Sequence, residues 1–283
     1  MLTTIDREYL ETVIANDALL DSDIVPLDDG AAYSSDYSAG ATKNNDRGYP
    51  LRWGRIIQRV KKSVGIEEVS ADCVVATVTR TIGGILKISA PYQLSTRKRH
   101  SLISKPFIEH VVRKARFMRV GESDDPSMNW KLNAVSIVHG GTEKANVSIS
   151  EFLLRTQTGE SISLKSPDET AWPFRINGRG HFPTVGGETD LEVRVRLQTQ
   201  EVEPNMVVLR SGYRGKWGQR NLLPLRLENR VGDHYIHTYE NTVRAQSRPG
   251  VFHAVVEAIS RETLCDMEAP VLTRFWGIPY TVQ

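Results

Sequence analysis

The sequence predicts an all-β protein: two antiparallel β-sandwich domains behind a short N-terminal helix and an acidic linker. Three observations carry this. After Pro50, apolar and polar residues alternate with period two over many short stretches; Gly, Pro, Asn and Asp punctuate those stretches; and residues 1–50 differ from the rest in charge and composition. A chain of 283 residues exceeds one small sandwich and suits two domains of ordinary size, each with its own core.

The N-terminal arm comes first. Ile5, Leu10, Val13, Ile14 and Leu19 fall near helical spacing, with Thr3 or Thr4 placed to cap and Asp6, Arg7 and Glu8 in the first turn, so a short amphipathic helix is expected over residues 3–20. Such a helix is marginal alone and needs a surface to pack on. From Asp21 to Pro50 the chain is rich in Asp, Ser, Gly, Ala and Asn without a period, which is linker composition.

The charge then reverses. Residues 1–50 hold three basic and ten acidic residues, a net of −7, leaving 33 basic against 24 acidic in the remainder, a net of +9. Such a split suits either an acidic arm lying against a basic body, its own or a neighbour's, or a solvated tail.

The stretch PLRWGRIIQRVKKSV opens the body. Trp53, Ile57, Val60 and Val64 would suit a helix, but Gly54, the Ile and Val content and the next segment favour a strand. In ADCVVATVTRTIGGILKISAP, Val74, Ala76, Val78 and Ile82 share one face and Cys73, Val75, Thr77, Thr79 and Thr81 the other, so a long hairpin turning at Glu67–Ser70 is expected. The paired glycines of TIGGIL read as a bulge or bend. Strands at PFIEHVVRKARFMRV and WKLNAVSIVHGG, separated by the turn-forming GESDDPSMN, complete a first β-rich domain over residues 51–142.

The second domain, residues 143–283, alternates more clearly. TDLEVRVRLQTQ places Leu191, Val193, Val195 and Leu197 inward and Glu192, Arg194, Arg196 and Gln198 outward. About seven short strands bounded by turn residues are the signature of an antiparallel sandwich. Phe252, Ala254, Val256 and Ala258 on one face, after a GDHYIHTYE strand, resemble the late strands of an immunoglobulin-like or fibronectin-like domain without its intersheet cysteine pair.

The succession of an acidic leader, RWGRII, ATVTRTIGG, KPFIEHVVRKARF, LNAVSIVHGGT and a terminal FWGIPY resembles a group of uncharacterised bacterial surface proteins with such domains. The resemblance implies a secreted or surface-exposed setting and carries no functional residues over. The N-terminus shows no basic n-region, apolar h-region or cleavage site, so the chain is read either as a mature form or as intracellular. No run of about 18 apolar residues is present.

Catalytic and metal motifs fare poorly. There is no G-x-S-x-G, H-E-x-x-H or G-x-x-x-x-G-K-[ST], and a non-enzymatic role is expected, without a cofactor. His234 and His237 point to opposite faces of a strand, and His100, His110, His139, His181 and His253 stand alone. Glu122, Asp124 and Asp125, or Asp266 and Glu268, suit plain turns better than calcium, so no metal site is expected. Cys73 and Cys265 read as two thiols rather than one interdomain disulfide.

Partner-binding residues are sought among basic and aromatic side chains. Lys87, Arg97, Lys98, Arg99, Lys105, Arg113, Lys114, Arg116 and Arg119 face only one acid, Glu109, over the same span. A polyanion footprint is one reading, with nucleic acid disfavoured for want of any recognition motif; docking of the acidic arm is preferred. Trp130 and Trp276 read as core, whereas Trp172, and Trp217 with Tyr213, lie in loop-like sequence suited to sugar stacking or protein anchoring.

The expected partner-binding set is Arg52, Trp53, Arg55, Arg59, Lys61, Lys62, Arg97, Lys98, Arg99, Tyr213 and Trp217. The function expected is a structural or adhesive subunit of an extracellular bacterial assembly, self-associating or binding another surface protein. A carbohydrate- or polyanion-binding surface module is the alternative.

Overall fold

The computed structural model describes residues 2–16, 20, 52–89, 102–167, 174–175, 183–213 and 216–283. They build a mostly antiparallel β structure of two sheets, as the all-β reading requires. Among the described residues no helix is long and apolar enough to cross a membrane.

The helix α1 (Thr4–Asn16) is followed by three long strands, β1 (Arg52–Ser70), β2 (Cys73–Ser89) and β3 (Leu102–Arg119). A short helix α2 (Pro126–Asn129) leads to β4 (Trp130–Val135), β5 (Val138–Thr142), β6 (Val147–Thr156), β7 (Ser161–Leu164), β8 (Phe174–Arg175) and β9 (Thr184–Val185). Then come β10 (Asp190–Thr199), β11 (Met206–Tyr213), β12 (Lys216–Leu222), β13 (Leu225–Val231), β14 (His234–Arg244) and β15 (Gly250–Ile259). Helix α3 (Arg261–Cys265) and β16 (Thr273–Val282) complete the order.

The larger sheet has eleven strands in the order β1-β2-β3-β5-β16-β15-β11-β12, with β4, β8 and β9 beside that path. The smaller has five, β13-β14-β10-β6-β7. Hydrogen bonding runs across residue 142: Gly140 of β5 pairs with Val111 of β3 on one side and Phe275 of β16 on the other. Strands from residues 51–142 and 143–283 therefore share one sheet.

β10 buries Leu191, Val193, Val195 and Leu197 as its alternation predicts. β15 does more than its sequence suggests, since Val255, Glu257 and Ile259 are buried along with Phe252, Ala254, Val256 and Ala258. The reason is that two cores flank it. Phe252, Ala254 and Val256 join β6 and β10 in one cluster, while Val255 and Ile259 join Trp53, Leu86, Ile103 and Phe107 of the first three strands in another. The larger sheet therefore rolls back over its own central strands, and β11, β15 and β16 lie between two covers.

The roll needs a bend, and TIGGIL supplies it as expected. The β1–β2 register slips between Ile57 and Arg59, opposite Gly83 and Gly84. A Cβ on Gly84 would lie 2.3 Å from the Ile56 carbonyl oxygen and 2.9 Å from the Phe107 ring, so only glycine admits this approach.

Two expectations are corrected. β1 runs on to Ser70, so the turn is Ala71–Asp72 rather than Glu67–Ser70, with a second register shift between Glu68 and Ser70 absorbing the difference. Helix α1 is described over Thr4–Asn16, the expected residues 17–19 lying outside the described residues, and Ile5 is 63% exposed instead of facing inward. The cap decides this: Thr3 Oγ1 accepts from the Asp6 amide while the Asp6 carboxylate accepts from the Thr3 amide and hydroxyl. That start turns Asp6, Leu10 and Ile14 inward at a spacing of four, leaving Ile5 outside.

Candidate functional site

Six of the expected partner-binding residues, Arg52, Trp53, Arg55, Arg59, Lys61 and Lys62, lie on β1, the first strand of a three-stranded ribbon β1–β2–β3 whose inner face has two differently built halves. The distal half, toward the Ala71–Asp72 turn, is small and apolar. Val74, Ala76, Val78, Ala115 and Phe117 form one cluster with Leu10 and Ile14 of α1. Full burial of two such side chains stabilises docking by about 1.5–3 kcal/mol each.

Polar contacts set the helix in place. Trp130 Nε1 donates to Asp6 Oδ1 at 2.9 Å, the Leu2 amide donates to Glu68 at 3.0 Å, and Lys62 Nζ donates to the Ile14 carbonyl at 3.3 Å. The last places a cation at the negative end of the helix dipole. Burial would raise the Asp6 carboxyl, but the hydrogen bonds from Thr3 and Trp130 and the Arg119 charge outweigh it and hold it below the usual carboxylate range. The arm's helix thus docks on the ribbon of its own chain, chiefly through apolar contact.

The proximal half is charged inside. Arg55 is 0% exposed, with Nη2 2.9 Å from Glu109 Oε1 and also paired to Glu257. Arg210 Nε donates to Glu257 at 2.8 Å, and Thr273 Oγ1 donates to Glu109. The Trp53 ring lies 5.1 Å from the Arg210 guanidinium and 5.9 Å from that of Arg55. Burial alone would lower the Arg55 pKa; the charges of Glu109 and Glu257 raise it instead. Nearby, His253 is buried, and desolvation together with the Arg113 charge pushes it well below the ordinary histidine range.

Lys105 is also enclosed: its ammonium donates to the carbonyls of Thr263, Asp266 and Ala269 around α3. It thereby holds the turn that carries Asp266 and Glu268, while Asp125 caps α2 by accepting from the Ser127 amide at 2.8 Å. Both acidic stretches are thus engaged in turn and cap hydrogen bonds.

The structure sorts the expected partner-binding set. Trp53 and Arg55 are interior, a correction forced by the roll, which brings β15 and β11 over them. Arg59 and Lys61 are exposed, and Lys62 is half-buried against α1. Arg52, Tyr213 and Trp217 lie in β1, β11 and β12 by backbone, but their side chains fall outside the described residues, as do Arg97, Lys98, Arg99 and Trp172. Of the basic residues from Lys87 to Arg119, Lys105 and Arg113 are buried. Trp130 and Trp276 are core, as read, and Cys73 and Cys265 are not joined in a disulfide.

Sequence reading missed the inward charges. Their signal was parity, since Arg55 alternates in step with Trp53 and Ile57, and Glu109 with Phe107 and Val111. A second missed feature is an open groove beside the ribbon, lined by His110, His139, Glu143, Arg274 and Trp276 over Gly140 and Gly141. A Cβ on either glycine would lie 2.1 Å from a backbone oxygen, of His110 or Thr273, so the floor must stay bare.

Comparison of the chain with protein-family models, with curated proteins and with solved structures finds no match.

Proposed function

We propose that the chain is a non-enzymatic structural subunit that self-associates through its N-terminal arm, as part of a bacterial cell-surface filament, lattice or sheath. The observation that supports this reading is the docking of α1 on the β1–β3 ribbon, because arm and seat are complementary within one chain. Residues 17–51 between them carry seven acidic against two basic residues, a net of −5. Thirty-five residues span at most about 120 Å. The two ends to be joined, Lys62 at the helix terminus and Arg52, are about 33 Å apart along β1. The same arm therefore has the length to reach a neighbour's seat, and exchange of identical elements is a low-cost route to oligomers.

The finer assignment of residues 143–283 to an immunoglobulin-like sandwich belongs to the same proposal; the five-stranded sheet facing β15 and β16 supports it. The surface setting rests on the resemblance in sequence.

Sedimentation velocity at low and high salt tests the reading, with a variant in which Asp17, Asp21, Asp23, Asp28, Asp29, Asp36 and Asp46 become Asn. Salt-sensitive assembly lost in the variant is expected. A monomer under every condition would sink the proposal.

A carbohydrate- or polyanion-binding module is the second reading, favoured by the groove with its indole, imidazoles and guanidinium. Glycan-array binding lost on His110→Ala or Trp217→Ala would promote it.

A further inference from the structure

Four large apolar side chains, Ile5, Val69, Val120 and Met128, are between 60% and 63% exposed. They come from four segments that meet at the distal end of the ribbon. The Arg119 amide donates to the Asp72 carbonyl at 2.9 Å and the Val120 amide to the Asn129 carbonyl at 2.6 Å, tying the end of β3 to the β1–β2 turn and to α2. The Leu2 amide on Glu68 brings the start of α1 to the same place.

Around these residues the exposed charge is acidic. Glu8, Glu67, Glu68, Asp72, Glu122, Asp124 and Asp125 are exposed there, against Arg7 and Lys131. Scattered apolar side chains are ordinary on a protein surface, but a cluster rimmed by one sign of charge marks an interaction site.

A complementary surface lies on the same chain. In the middle of β1, Ile56 is exposed on the same face as Arg59 and Lys61, Val60 is exposed on the opposite face of the same edge, and residues 52–66 contain no acid. β1 is also the end strand of its sheet's pairing order, so one side of it has no strand neighbour among the described residues. Two copies of β1 would bring like charges together, which disfavours pairing of this edge with itself.

We infer that the acidic, apolar tip of one copy docks on the basic, apolar middle of β1 in a second copy. The inference rests on the self-association reading and places its contact on the outer side of the docked arm helix and the segments around it, rather than on an exchanged helix. The two surfaces differ, so the contact is head-to-tail and propagates into a ring or an open filament rather than closing as a two-fold dimer. Its core is apolar and its rim charged, so assembly weakens with salt without vanishing.

Two variants test it by light scattering. Val69→Lys with Met128→Lys alters only the tip, and Arg59→Glu with Lys61→Glu alters only β1; all four side chains are exposed, and circular dichroism checks the fold. Each variant alone is expected to be a monomer at concentrations where the wild type assembles. An equimolar mixture is expected to give two-chain complexes and nothing larger, because one intact tip meets one intact strand. Wild-type assembly with both variants assembling equally well overturns this contact and leaves self-association standing. A mixture that stays monomeric while the wild type assembles also overturns it. A monomeric wild type overturns both.

Discussion

The two halves of the β1–β3 ribbon share three strands and one inner face, yet they are covered by opposite means. The proximal half encloses Arg55 and Glu109 and is closed by β15 and β11, strands far away in sequence. The distal half presents Val74, Ala76 and Ala115 and is closed by a thirteen-residue helix. The charged part reaches past the Ile57/Arg59 slip to Glu109, opposite Ile82, and Arg113, opposite Val78, and the small apolar part begins there. Buried ion pairs specify one arrangement more than they stabilise it, whereas apolar contact is tolerant of its donor. The proximal half is thus built to be unique and the distal half to be coverable by any matching helix.

The largest break in that comparison is expected from Arg55→Met. It leaves Glu109 and Glu257 buried without their shared cation and should cost about 3–5 kcal/mol in urea unfolding. Leu10→Ala should cost about 2 kcal/mol, and limited proteolysis near α1 should increase before global unfolding does. Gly84→Val, at the bend, forces the Ile56 carbonyl or Phe107 to move and should cost about 1–3 kcal/mol in thermal unfolding.

Acid should separate the halves. His253 is held below its unfolded pKa of about 6.5, so the unfolded chain binds a proton that the folded one refuses. Global stability should therefore fall as pH drops below about 6.5, and His253→Leu should flatten that slope. Asp6 is depressed below 3.8, so its contribution is present above that value and lost as pH falls through the folded pKa. Trp130 fluorescence should report helix release only below about pH 4, a transition absent in Asp6→Asn.

Much of this was legible in the sequence where the decisive neighbour is local. The alternation of Leu191 to Leu197, the facing of Val74 to Ile82, and the bend at Gly83–Gly84 need only adjacent residues. Ile5 was misplaced because the inward position of the first turn is taken by Asp6, a polar residue held there by Trp130, which an apolar stripe does not count. The continuity of the large sheet was illegible because Gly140 pairs with Phe275, 135 residues on. Arg55 was read as outward because a lone arginine in a basic stretch is ordinarily solvated, and its partners lie on β3 and β15. The acidic-apolar tip escaped notice because its members, Ile5, Val69, Val120 and Met128, mean nothing until four segments meet.

The buried charges have one more consequence, which concerns synthesis. Glu257 lies 202 residues after Arg55, so at about 5–20 residues per second it emerges some 10–40 s later. During that interval the ribbon can zip locally and α1 can cover its distal part, but the proximal inner face has no cover. A fully apolar face of three long strands would be a template for clumping with other nascent chains. Arg55, Lys105, Glu109 and Arg113 interrupt it with groups that water solvates well. What the finished molecule hides as an ion cluster serves the unfinished one as protection on the ribosome.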